Sequence, residues 1–320
     1  RDLVVGLLAR AGNGPWLEEA LVRVASESGD VPPEILVVVD GADPSLGPMA
    51  EATLPQARVV SAVASESAAS MANRVLEATT GNHLLLLQEG VLPRKGCFNA
   101  VLAAFAAHPQ AGALALPLHR AGGSIDSSAL SVSRWGRVLP HHESNAAAQS
   151  ISAVSSVAGA FRREMLEETG GFDPTLVGEL GDADLCVRAL LLGYRSLRVD
   201  GPGFDAADRV ALLTCERDAA AQGESRAWAR SRVRMVLRTL PREALEGAGS
   251  QVLIEGLADL YRASRDRRHP HEILRGFIDG LVESRKAIDE RRKTLGRRRV
   301  GEDFVRETFR RAEADMDHCR

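Results

Sequence analysis

Aromatic side chains are scarce in this chain: three Trp, two Tyr and eight Phe among 320 residues. A core must therefore be assembled from Leu, Val and Ala. Cysteine is equally thin, and its four copies (Cys97, Cys186, Cys215 and Cys319) form no CxxC pair. That spacing excludes a zinc ribbon and reads as reduced thiols in a cytoplasmic setting. Charge of one sign is missing too, since a net charge of −3 supplies no electrostatic basis for a nucleic-acid partner. No apolar run approaches the roughly 18 residues that cross a bilayer, and no signal-peptide pattern is present. The chain starts at Arg1 rather than Met and so reads as a piece of something longer.

What is present is ordinary for a folded soluble protein: 45% apolar and 26% charged residues. The length fits one large α/β domain, or a domain of about 220 residues with an extension. Residues 3–8 and 35–39 are short apolar runs bounded by turn formers, which predicts buried parallel strands. Residues 16–26 between them have helical spacing, so the chain opens with a βαβ unit. A helix is expected over 67–78, a four-leucine strand over 84–87, a helix over 97–107 and a strand over 113–118. This alternation predicts an α/β fold with a mostly parallel open sheet flanked by helices. Residues 120–149 read as an irregular insertion, and Gly201-Pro202-Gly203 as the close of the α/β portion. From about residue 225 the pattern turns to charged amphipathic helices, expected over 228–240, 252–263, 272–293 and 303–316. The expected division is residues 1–224 and 225–320.

The most specific stretch is GAFRREMLEETGGFDPTLVGELGDADLCVRALLLGY, from Gly159 to Tyr194. A short helix runs into Gly170-Gly171-Phe172-Asp173, and about ten residues on Asp182 and Asp184 open a second helix carrying Arg188. In order and spacing this block resembles the acceptor-side half of the family 2 glycosyltransferases. The resemblance extends loosely over residues 3–240. It implies a GT-A-like fold and inverting transfer of a sugar from a nucleotide carrier to an acceptor hydroxyl. It also implies a nucleotide-sugar donor and a glycan or lipid-linked acceptor. The segments 131–140, 228–241 and 287–309 look like the cytoplasmic part of large actinobacterial-type members that precede membrane helices. That implies surface-polysaccharide assembly at the inner face of the plasma membrane, with membrane-surface association through the C-terminal helices and the basic run 291–299.

Carried over residue by residue, the resemblance makes Asp182 the base, with Asp184 and Arg188 following it. Gly171, Phe172 and Asp173 fall on the acceptor side, and Asp40, at the end of the second strand, on the nucleoside. Each has a plainer reading: Asp182 and Asp184 as helix N-terminal acids, the Gly-Gly-Phe-Asp turn as structure, Asp40 as a strand-end turn former. The family's metal-binding Asp-x-Asp falls on Gln88-Glu89-Gly90, which has lost both aspartates. Glu89 alone is a poor Mg²⁺ or Mn²⁺ site, so no metal ligand is assigned. The late His of the family is absent, with Asp205 the nearest stand-in. Arg10, in the turn after the first strand, offers a cation for a diphosphate where no metal is held. The pairs His141-His142 and His269/His271 read as exposed loop residues. Two functions stay open: a transferase with weak or no metal dependence, and a catalytically inactive relative kept as a binding scaffold.

Overall fold

A computed structural model describes residues 2–27, 32–120, 125–141, 149–206, 225–245, 249–265 and 269–317. In chain order its first half holds β1 (Leu3–Ala9), α1 (Gly14–Glu27), β2 (Glu34–Val39), α2 (Leu46–Thr53), β3 (Arg58–Ser61), α3 (Ala68–Ala78), β4 (His83–Gln88), β5 (Val91–Pro93), α4 (Cys97–Ala107), β6 (Ala111–Ala115) and β7 (Pro117–Arg120). There follow β8 (Ile125–Ser127), β9 (Ala129–Val132), β10 (Val138–Pro140), β11 (Gln149–Ile151), β12 (Ala153–Val154), β13 (Ala158–Arg162), α5 (Arg163–Thr169), α6 (Glu179–Leu191), β14 (Arg195–Arg198) and β15 (Phe204–Ala206). The C-terminal part adds α7 (Ser225–Thr239), α8 (Arg242–Leu245), α9 (Gly249–Arg265), α10 (Pro270–Val282), α11 (Ser284–Gly296) and α12 (Glu302–Asp317).

Eight strands form the main sheet in the order β11-β14-β6-β13-β4-β1-β2-β3. The run β4-β1-β2-β3 is parallel, as the unbroken apolar strands predict, and every residue of β1 is buried. The other half is mixed: β13 runs antiparallel between β4 and β6, β14 is parallel to β6, and β11 is antiparallel to β14. The sheet is thus less uniformly parallel than expected, because β13, reached from β6 through β7–β12 with no helix among the described residues between, enters antiparallel between β4 and β6. Register places Ala9 opposite Val39 and Leu8 opposite Gln88. The residues just past the carboxyl ends of β1, β2 and β4 therefore meet at one edge, where open α/β sheets bind ligands.

Helices cover both faces. One core packs α1, α2 and α4 on the sheet. The other joins α3, α5 and α6 with Trp228, Met235 and Val236 of α7, Ile273 of α10 and Phe309 of α12. Between α10 and α7 the backbones approach closely, because a Cβ at Gly276 would lie 2.3 Å from the Arg226 carbonyl oxygen and one at Gly280 2.7 Å from Val233 Cβ.

Several sequence expectations need correcting. The strand foreseen over 113–118 is two strands, β6 and β7, pairing in different sheets. The supposed irregular insertion holds β8, β9 and β10, which pair with β7 or with β9 and β12, while residues 121–124 and 142–148 lie outside the description. A further strand, β15, follows Gly201-Pro202-Gly203. The long helix over 272–293 is divided at Glu283 into α10 and α11. His141 is buried, with Nδ1 3.0 Å from Ser131 Oγ, although its sequence context read as an exposed loop. His142, Cys215 and Cys319 lie outside the described residues, while Cys97 and Cys186 are buried free thiols.

Candidate active site

At the carboxyl edge of the parallel strands opens a cleft of about 800 Å³, the size range of small-molecule sites. Arg10, Asp40, Gln88, Glu89 and Asp182 all line it. Five residues expected from widely separated parts of the sequence therefore share one space.

Asp182 lies in the first turn of α6 and is only 5% exposed. Its Oδ2 accepts the Ser156 backbone N–H at 3.0 Å and the Ser155 hydroxyl at 3.2 Å. Burial disfavours its charged form and the two donors favour it; burial wins, and the carboxyl is pushed up to about 6. A carboxylate in that range suits a general base near neutral pH.

Asp40 acts as the strand-end turn former that its plainer reading foresaw. Its Oδ1 accepts the backbone N–H groups of Ala42 and Ser65, each at 2.9 Å, which keep its pKa below the usual carboxylate value. It ties the turn after β2 to the loop before α3 and still lines the cleft. Arg10 is exposed and is the one Arg or Lys among the described lining residues. Glu89 follows β4; its Oε1 accepts from Asn13 Nδ2 at 3.0 Å, while Oε2 is buried with no hydrogen-bond partner among the described residues. Burial raises the Glu89 pKa.

The acceptor-side residues have a different placement. Gly171, Phe172, Asp173, Asp184 and Arg188 do not line the cleft. The backbone of Phe172 is clasped by Asn73, whose Oδ1 accepts its N–H and whose Nδ2 donates to its carbonyl, both at 2.9 Å. Asp184 is fully buried and paired with Arg188 at 2.8 Å, and Arg188 also donates to the carbonyls of Thr169 and Gly171. Asp173 accepts from Thr175, Arg234 and Arg238. These groups hold the turn and α6 together, behind the residues that line the cleft.

Sequence reasoning missed Ser155 and Ser156, which carry no motif and reach Asp182 only through the fold. It also missed Asn13 and Glu179. The spacing of Glu179, three residues before Asp182 on one helix, was the available signal.

The sequence profile described as "Glycosyltransferase like family 2" matches residues 12–256. The chain belongs to the glycosyltransferase-like family 2. Among solved structures it is similar to the mannosyltransferase PcManGT from Pyrobaculum calidifontis in complex with GDP-Man and Mn²⁺, at 18% identity over 92% of this chain and 85% of that one, with a TM-score of 0.48. No curated protein sequence matches it.

Against the metal chemistry of family 2, the donor set fits poorly. Glu89, the position expected from the resemblance, offers one carboxylate, half engaged by Asn13 and disfavoured as an anion by burial. Asp205, the foreseen stand-in for the late His, is drawn away to Arg94 at 2.7 Å and Arg23 at 4.0 Å and does not line the cleft. Among the described residues no group of three His, Cys, Asp or Glu side chains converges to hold a metal ion.

Proposed function

We propose that this family 2 protein transfers a glycosyl unit from a nucleotide-sugar donor to an acceptor hydroxyl, with inversion. Asp182 takes the proton of the acceptor hydroxyl as its oxygen bonds to the anomeric carbon, and the bond from that carbon to the diphosphate breaks. The nucleoside diphosphate leaves with the bonding electron pair. Asp40 holds the nucleoside, Gln88 and Glu89 line the donor side, and Arg10 offsets the diphosphate charge without a resident divalent cation. The observation that carries this reading is the convergence of these five side chains on one open cleft large enough for a nucleotide.

The acceptor is a glycan or lipid-linked hydroxyl in surface-polysaccharide assembly, with the protein in the cytoplasm at the inner face of the plasma membrane. No helix among the described residues is long and apolar enough to cross a membrane. Association at the surface is supported by the apolar residues that α9 and α10 expose.

That same feature favours a second reading, a non-catalytic scaffold. Eight of the ten large hydrophobic side chains exposed among the described residues lie on α9, α10 and α11, a concentration typical of docking surfaces. Calorimetric titration with UDP, GDP and dTDP, each with Mn²⁺ and then with EDTA, separates the two. Micromolar binding of at least one nucleotide that survives EDTA is expected. Binding only with Mn²⁺ would refute metal independence, and no binding to any of the three would favour the scaffold.

A further inference from the structure

All 13 residues of α6 are buried, an unusual setting for a helix with two aspartates and an arginine. Asp182 and Asp184 are two positions apart, hence about 200° around the helix axis. Asp182 faces the cleft. Asp184 points the opposite way and is met from behind by α7. There Thr239 donates its hydroxyl to Asp184 Oδ1 at 2.5 Å, and Arg238 lies 3.7 Å from Oδ2, the oxygen that Arg188 also holds. The same stretch of α7 grips the cleft wall leading into α6. Arg234 and Arg238 bind Asp173, Glu290 of α11 balances both arginines at 2.9 and 3.3 Å, and Ser231 Oγ accepts the Val177 N–H at 3.3 Å. Leu176, Val177 and Gly178 in turn line the cleft.

We infer that Thr239, supported by Arg238, is a positioning residue for Asp182: it sets the rotation of α6 from the far side of the helix. The physical chain is short. Asp184 is fully buried, so an Oδ1 deprived of its hydroxyl donor has no water to turn to. The carboxylate recovers a donor only by moving, and α6 moves with it. The fixed points on the other side are Ser155 and Ser156, which sit on separate backbone. Rotation of α6 therefore lengthens their hydrogen bonds to Asp182, and those bonds are what hold its pKa down against burial. The other titratable or charged groups around Asp182 are Glu179 and Cys186 on its own helix, and Arg10, Asp40, Glu66 and Glu89 on the cleft walls. None of them is substituted in the test. The catalytic meaning of the inference rests on the transferase reading, but the positioning itself does not.

The test is the titration of Asp182 in the whole chain, followed by carboxyl ¹³C NMR of aspartate-labelled protein and assigned through Asp182→Asn. Thr239→Val, nearly isosteric but without the donor, is expected to move the Asp182 midpoint upward from about 6, while Thr239→Ser leaves it in place. If valine does not pack, Thr239→Ala removes the same donor with less volume. Where transfer is measurable, the valine variant loses kcat at neutral pH on the order of 10-fold with the donor KM unchanged, and serine restores it. A valine or alanine variant that melts earlier but titrates Asp182 at the wild-type midpoint would overturn the inference. A wild-type chain that titrates as described, with the midpoint shift in the variant, yet transfers no sugar, would sink the transferase reading and leave the positioning supported.

Discussion

Asp182 and Asp184 show how much a single helix position decides. They share a residue type and a five-residue stretch. One lines a ligand-sized cleft beside two serine donors, and the other is sealed between Arg188 and Thr239. Only the first can exchange a proton with a substrate. Replacing it by asparagine is expected to reduce kcat/KM by about 10²–10⁴-fold, the usual worth of a general base. In the wild type, kcat/KM should climb with pH and level off above about 6. Stability should behave in the opposite sense. The folded state raises the Asp182 pKa above the unfolded value, so the resulting stabilisation is complete below about 4 and is lost as pH rises through about 6. Ionised Asp182 thus costs up to about 3 kcal/mol at pH 8. Asp182→Asn should melt at or above the wild-type temperature at pH 8, with the difference vanishing toward pH 4; thermal scans at the two pH values check this. An inactive variant that is no less stable is the pattern expected when function is maintained at the expense of stability.

At the scale of elements, the Gly-Gly-Phe-Asp turn works as a joint. Gly170 and Gly171 both take left-handed φ values, +84° and +75°. Their surroundings differ: a Cβ at Gly170 would meet nothing within 4 Å, whereas one at Gly171 would fall 2.6 Å from Asn73 Oδ1. Gly171→Ala should therefore cost about 1–3 kcal/mol in urea unfolding, from strain plus displacement of the Asn73 clasp. Gly170→Ala should cost about 1 kcal/mol or less. Equal losses at the two positions would remove Asn73 from the explanation. Helices were the most legible elements. The helix over 97–107 matches α4, and Ser67 caps α3 by accepting the Ser70 N–H at 3.2 Å, as a serine before an apolar-periodic run foretells. The division of 272–293 was not legible. Gly276 and Gly280 lie inside α10 rather than at the break, where they let it approach α7, and no Gly or Pro stands at Glu283 itself.

For the whole molecule, the C-terminal helices have two sides. The inner side is part of the core and of the charge network behind α6. The outer side exposes Ile254, Leu257 and Tyr261 on α9, and Ile278, Leu281 and Val282 on α10, near exposed Arg285 and Lys286. Exposed apolar side chains with basic residues following in sequence suit an anionic lipid surface. The chain should co-sediment with vesicles containing phosphatidylglycerol. The double change Leu281→Glu and Val282→Glu should abolish this without altering nucleotide affinity. Failure of the wild type to sediment would leave a protein partner as the occupant of this surface.

Local pattern was enough for some of this protein. Unbroken apolar runs dictate strands buried on both faces, 3.6-residue periodicity dictates the helices, and the Gly159–Tyr194 block marks the family. Those signals lie within a few turns or strands of chain, where propensity and pattern act. Contacts across the sequence were decided only in three dimensions. Ser155 and Ser156 reach Asp182 because β13 returns beside β4, and Arg10, Asp40 and Glu89 meet because three strands share a register. Which face of α6 turns to the cleft, and which is locked by Thr239 more than 50 residues later, depends on burial and on pairing of charge. Neither is a property of any short segment.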